Sequence, residues 1–174
     1  MASIYDTIYP KFKKEFTQIE LQEIYTPTEA ELKFADKVTG RKSTKLCFLI
    51  TLKCFQRLGY FISITNVPDS IASHISDFSN ISISETTKLN YNKSGIKKKH
   101  IQIIRELLNV KPFVHEARHL IVTAIGKAAK TKDEPTDLIN IAIEELVKNS
   151  YELPAFSTIE RAVNRIRVSV NRSF

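Results

Sequence analysis

The residues with the clearest catalytic spacing are His115, Glu116 and His119, which form the sequence His-Glu-x-x-His. Two histidines one helical turn apart can bind one Zn²⁺, and the glutamate can act as general base on a metal-bound water. A catalytic zinc also needs a third protein ligand, and no histidine follows His119. A zinc-dependent hydrolase is therefore one alternative, although so short a pattern also arises by chance.

A second pattern lies near the C-terminal end, where Ser157 and Glu160 predict a capping box that starts a helix. At about 100° per residue the helix has two faces. Its apolar face contains Ile159, Ala162, Val163, Ile166 and Val170. The opposite face contains Arg161, Asn164, Arg165 and Arg172. Arginine can span the acceptors of guanine and asparagine can pair with adenine, so this face suits phosphates and base edges. A solvated basic face is the alternative.

The positive charge is unevenly distributed along the chain, whose net charge is +7. Residues 40–57 hold five Lys/Arg and no acid, residues 93–111 six against one, and residues 154–174 four against one. The middle segment contains Lys97-Lys98-Lys99-His100, and Lys93, Arg105 and Lys111 extend it. Such segregation favours a polyanionic partner, and nucleic acid is favoured over a membrane because no segment is both strongly basic and rich in exposed aromatics.

Composition excludes several classes of protein. The 174 residues are 43% hydrophobic, which is enough for one sizeable core or two small ones. No apolar run approaches the ~18 residues of a membrane span, and the start lacks the pattern of a secretion signal, so we expect a cytoplasmic protein. Cys47 and Cys54 are seven residues apart on one predicted helix, beyond disulfide reach, and we expect both to be reduced. Four glycines leave no material for a phosphate-binding loop.

Helical spacing recurs and strand alternation is nearly absent, so we predict an all-α fold of two small helical bundles with helix-turn-helix-like elements. The first subdomain is predicted over residues 1–92. Its predicted helices run from Tyr5 to Ile24, from a cap at Thr26 to near Gly40, from Ser43 to Arg57, from Val67 to Phe78, and from Ser84 to Tyr91. The third is the buried central helix with a polar stripe of Lys42, Lys45, Lys53 and Arg57, and the last two, joined near Asn80, form the helix-turn-helix.

The second subdomain is predicted over residues 93–174, after a polar turn. Its predicted helices are Ile96 to Leu108, His115 to Lys130, Pro135 to Lys148 and Ser157 to Asn171.

Several segments, taken in order, resemble the N-terminal region of the Tn-three family of class II replicative bacterial transposases. They are Leu21-Gln22-Glu23-Ile24-Tyr25-Thr26, Thr44-Lys45-Leu46-Cys47-Phe48, Arg57-Leu58-Gly59, Val67-Pro68, Lys98-Lys99-His100 with Leu107, Lys111-Pro112-Phe113 and Leu153-Pro154-Ala155-Phe156-Ser157-Thr158. The resemblance covers nearly the whole chain, and the last segment is its most distinctive part. Lys45 stands where the family usually has arginine.

The resemblance implies a helical module that binds the terminal inverted repeats of a transposon as double-stranded DNA. It also implies that strand cleavage belongs to a separate Asp-Asp-Glu domain that uses divalent metal. We therefore expect this chain to bind DNA next to the rest of a transposase chain in the bacterial cytoplasm, without a cofactor, metal, membrane or catalytic activity of its own. A protein-binding assembly module is a further alternative.

The predicted DNA-binding residues combine the basic segments with polar residues of the predicted helix-turn-helix and the last helix. They are Arg41, Lys42, Lys45, Thr87, Lys88, Asn90, Lys97, Lys98, Lys99, His100, Arg105, Ser157, Thr158, Arg161, Asn164 and Arg165.

Overall fold

The structure is a computed structural model that describes residues 2–172. Within these residues there are nine α-helices and no β-strand, which confirms the predicted all-α fold. The helices are α1 (Gln18–Glu20), α2 (Glu29–Val38), α3 (Lys42–Leu58), α4 (Asp69–Ser79), α5 (Glu85–Asn92), α6 (Gly95–Leu108), α7 (His115–Ala128), α8 (Pro135–Lys148) and α9 (Phe156–Arg172).

Residue contacts divide the chain into two compact units. The central unit is Lys11–Leu107, and the terminal unit combines the described residues of Met1–Pro10 and Leu108–Phe174. This division differs from the predicted boundary after residue 92, because α6 belongs almost wholly to the central unit. There the ring of His100 packs edge-on against another ring of that unit, Phe48, at 5.1 Å between centroids.

The core of the central unit is α3, which is buried without interruption from Leu46 to Phe55. Segments α2, α4, α5 and the π-helical turn that follows α1 pack around it. As predicted, α3 ends at Gly59, whose φ of 79° is the left-handed conformation that glycine adopts at low cost. The prediction that Lys53 belongs to an exposed polar stripe is wrong. Its side chain is 8% exposed, and its Nζ lies 3.1 Å from Glu31 Oε1.

The cap of α2 lies two residues later than predicted. Thr28, not Thr26, is the N-cap, and it forms a capping box with Glu31. The hydroxyl of Thr26 instead lies 2.8 Å from Nε2 of His74, a tertiary partner that local sequence does not reveal.

In the terminal unit, α7, α8 and α9 pack on one another as a three-helix bundle. Its core contains Ile121, Ile125, Leu138, Ala142, Leu146, Ile159 and Val163. The helix α8 has the predicted bounds. The helix α9 begins at Phe156, so Ser157 lies inside the first turn and is not the predicted N-cap.

The predicted helix from Tyr5 to Ile24 is wrong. Only a 3-10 turn (Ile4–Asp6), α1 and the π-helical turn Leu21–Tyr25 occur there. The segment before Pro10 instead forms hydrogen bonds with the rest of the terminal unit. The backbone N–H of Ile8 donates to Asn140 Oδ1 on α8 at 2.9 Å, and the hydroxyl of Tyr9 donates to the carbonyl of Pro154 at 2.8 Å.

Both cysteines are free and buried, as expected. Burial raises the pKa of each thiol to about 12. Within residues 2–172, no helix is both long and apolar enough to cross a bilayer.

Candidate nucleic-acid interface

The two faces of α9 are as predicted. Ile159 and Val163 are fully buried against the bundle. The opposite side carries a row of exposed residues that we call the α9 stripe. It consists of Ser157, Arg161, Asn164, Arg165, Val168 and Arg172. The prediction of which side of this helix packs and which side is exposed is therefore confirmed.

The stripe is cationic because its members include three arginines and no acid. The only acidic residue of α9, Glu160, lies about 100° away from Arg161 around the helix axis and is half-buried. Arg161 Nε donates to the carbonyl of Ser157 at 3.2 Å, which orients the guanidinium along the helix surface. The remaining arginine, Arg167, lies off the stripe beside Asp133, with 3.4 Å between Nη2 and Oδ1. Of the predicted residues on α9, only Thr158 is half-buried.

The central unit has a second cationic surface where the start of α3 meets α5 and α6. Two adjoining clefts share Arg41, Thr44 and Ile96 as lining residues. One cleft continues to Lys99 on α6, and the other continues to residues of α5. We call this surface the α3–α6 groove. Of the predicted residues, the structure brings together at this groove Arg41, Thr87, Asn90, Lys99 and the largely covered His100.

No acidic side chain of the described chain lines the α3–α6 groove. Lys42 directly follows Arg41, and Lys98 directly precedes Lys99. Both lysines are exposed, so they add positive charge near the groove. The lining also includes the apolar residues Ile96 and Ile103. The groove therefore combines cationic and polar side chains with apolar ones.

Two residues of the predicted set face the protein interior. His100 is 3% exposed, and its Nδ1 lies 2.7 Å from the hydroxyl of Tyr91. Burial lowers the pKa of His100 to about 4, so the ring is neutral near pH 7. This burial disfavours the predicted contact of His100 with DNA, although the residue borders one cleft of the α3–α6 groove.

Lys97 is half-buried and holds the chain together locally. Its Nζ lies 3.1 Å from Asn92 Oδ1 and 3.4 Å from the carbonyl oxygen of Ile62. Burial lowers the pKa of Lys97. Lys97 would have to leave these internal contacts to make the predicted phosphate contact.

Three further predicted cations have partners within the central unit. Lys45 Nζ lies 2.6 Å from Asp36 Oδ1, and Lys88 Nζ lies 3.0 Å from Glu85 Oε1. The guanidinium of Arg105 lies 5.6 Å from the ring centroid of Phe61. Each side chain must leave or share its partner to reach a phosphate.

In the predicted helix-turn-helix segment, the structure has two short helices, α4 and α5, on either side of Asn80, whose φ is 55°. A cleft beside them is lined by Asp69, Asp77 and Glu85 and by one cation, Lys88, which pairs with Glu85. This acidic lining opposes DNA on that side of α5. Charge therefore favours the other side, where Asn90 borders the α3–α6 groove.

His115, Glu116 and His119 are exposed in the first turns of α7. Among the residues that the structure describes, no group of three or more His, Cys, Asp or Glu side chains is placed to hold a metal ion.

Sequence reasoning missed two apolar residues at these surfaces. Val168 lies within the α9 stripe, and Ile96 lies in both clefts of the α3–α6 groove. The available signal was position: Val168 is four residues after Asn164 and three after Arg165, so it falls on the polar face.

A family described as Domain of unknown function (DUF4158) matches residues 4–166. A comparison with curated proteins gives no match.

Proposed function

Because the chain belongs to the DUF4158 family, a domain associated with Tn-three transposases, we propose that it binds the terminal inverted repeats of a transposon as duplex DNA. In this proposal the chain is the N-terminal recognition module of a replicative transposase in a bacterial cytoplasm. It does not cut DNA, since strand cleavage belongs to a separate catalytic domain.

The observation that carries the proposal is the α9 stripe. Its arginines and Asn164 are exposed on one side of a helix whose other side is fixed by the core of the terminal unit. A helix with this division can lie on DNA without losing its packing, and arginine with asparagine can contact both phosphates and bases.

The α3–α6 groove supports the proposal independently, since it provides a second acid-free cationic surface in the other compact unit. Two such surfaces, one in each unit, suit a bipartite protein that contacts successive parts of one DNA end. Arg41 and Lys99 are the groove cations that we assign to phosphate contacts.

The test is fluorescence-anisotropy binding of the full chain to a duplex of the cognate transposon end and to a scrambled duplex, each over a salt series. Tighter binding to the cognate end, with a log–log salt slope of several units, is the expected result. Equal, salt-dependent binding to both duplexes would reduce the function to nonspecific DNA binding. Absence of binding to either would favour the assembly-module hypothesis.

The variant for this test replaces Arg161 and Arg165 together by Ala. We expect the affinity for the cognate end to fall by about tenfold or more. The salt slope should fall by about 2, since each arginine can neutralise one phosphate. The matched control replaces Lys127 and Lys130 by Ala, which removes the same charge from exposed positions of the same unit. Equal losses in both variants would show that total charge matters and the position of the stripe does not.

A further inference from the structure

Val168 is an apolar residue on the side of α9 that faces solvent. It is 49% exposed and lies nine residues after the fully buried Ile159. Nine residues turn the helix by about 900°, so the two side chains point in roughly opposite directions. Val168 therefore lies outside the core of the three-helix bundle.

The neighbours of Val168 on the stripe differ in chemistry. Asn164 lies one turn before it, and Arg165 lies three residues before it, so the three side chains adjoin. The side chain of Asn164 makes no hydrogen bond to the described part of the chain. Neither an amide nor a valine releases a counterion by neutralising a phosphate, and a valine cannot hydrogen-bond with one.

The second half of α9 contains no buried residue. The helix has 17 residues against 14 in α7 and 14 in α8, and its buried positions, Ile159 and Val163, lie in its first half. The major groove of B-DNA is about 12 Å wide and admits a helix of this kind. Charge complementarity with the arginines favours DNA as the occupant.

We propose that α9 enters the major groove and that Asn164 and Val168 determine sequence specificity at adjacent base pairs. Asn164 bonds with N6 and N7 of an adenine, and Val168 contacts the 5-methyl group of a thymine, an apolar surface that only thymine presents there. The arginines of the stripe supply affinity. This assignment rests on the proposed function and adds to it the bases that are read.

The experiment starts with selection of duplexes from a random library by the full chain. Dissociation constants are then measured for the wild type, Val168→Ala and Asn164→Ala on the enriched duplex and on copies with one thymine replaced by uracil. Uracil lacks only the 5-methyl group. At one position we expect uracil to weaken wild-type binding about fourfold, the worth of one buried methyl group.

At that position, Val168→Ala should bind the thymine duplex and the uracil duplex with equal affinity. That affinity should equal the affinity of the wild type for the uracil duplex. Asn164→Ala loses about tenfold in affinity and its preference for one adenine. Val147→Ala is the matched control, since Val147 is 62% exposed on α8 of the same unit, and we expect it to behave as the wild type. Equal helicity by circular dichroism verifies that each variant folds.

Two results overturn the assignment while the proposed function stands: uracil has no effect at any position, or Val168→Ala stays as sensitive to uracil as the wild type. Failure of the selection to enrich any sequence, with no salt-dependent binding, overturns both.

Discussion

Acidification should destabilise the central unit through His100. The ring is 3% exposed, lies edge-on to Phe48, and bonds with the hydroxyl of Tyr91. Burial lowers the pKa of His100 from 6.5 to about 4. The unfolded chain therefore takes up this proton near pH 6.5, whereas the folded chain takes it up only near pH 4.

The sign follows from proton linkage. Between pH 6.5 and pH 4 the unfolded state binds more protons, so the free energy of unfolding falls as the pH falls through this window. Each pKa unit is worth about 1.4 kcal/mol, so His100 accounts for about 3 kcal/mol over the whole window and about 2 kcal/mol between pH 7 and pH 5. Above pH 6.5 its contribution no longer varies with pH.

The assay is urea unfolding followed by circular dichroism, at pH values from 7.5 to 5, for the wild type and His100→Gln. Glutamine is polar, can bond with Tyr91 and does not titrate. We expect the wild type to lose about 2 kcal/mol more than the variant between pH 7 and pH 5. Identical pH profiles, or an NMR titration of the His100 ring centred near pH 6.5, would refute this account of the buried histidine.

The remaining predictions concern binding at the groove and the ion pair in the core. The double variant Arg41→Ala/Lys99→Ala should lower the salt slope of DNA binding by about 2 and leave the ratio of cognate to scrambled affinity unchanged. Lys33→Ala is the control at an exposed position. An unchanged slope would remove the α3–α6 groove from the interface. Glu31→Ala should lower the free energy of unfolding in urea by about 3 kcal/mol, because it leaves the buried ammonium of Lys53 unpaired; a loss below about 1 kcal/mol would contradict a buried ion pair there.

Glu31 also shows how several contacts act on one carboxylate. Burial alone would raise the pKa of Glu31, but hydrogen bonds from the Thr28 backbone, Gln56 and Lys53 hold it below its usual value. Their donor–acceptor distances are 2.8, 2.7 and 3.1 Å, respectively. The capping box and the interior ion pair therefore depend on the same side chain.

Helices with strong local signals could be predicted from the sequence. Pro135 fits the first position of a helix, and the predicted span Pro135–Lys148 is the observed α8. The segment around Tyr9 could not be predicted, because its hydrogen bonds reach Pro154, 145 residues away. Its apolar and aromatic spacing resembles a helix, but the tertiary contacts favour an extended backbone.

The candidate site could be predicted where amphipathicity separates the two sides of a helix. Arg161, Asn164 and Arg165 are exposed as predicted, because Ile159 and Val163 fix the orientation of α9. Amphipathicity does not indicate exposure where a polar residue has a buried partner. Residue type gave no sign of such a partner for His100 or Lys97.

The run Lys97-Lys98-Lys99-His100 shows why charge counted along a sequence overstates the charge available to DNA. Successive residues of a helix point about 100° apart, so four consecutive side chains cannot share one face. Lys98 and Lys99 are exposed, whereas Lys97 bonds inside the unit and His100 is buried. If the predicted cations that are exposed contact one phosphate each, the salt slope for binding has a ceiling of about 5. Those cations are Arg41, Lys42, Lys98, Lys99, Arg161 and Arg165. Specificity requires contacts with base edges in addition to that electrostatic contribution, and on the α9 stripe Asn164 and Val168 are the uncharged side chains that we assign to such contacts.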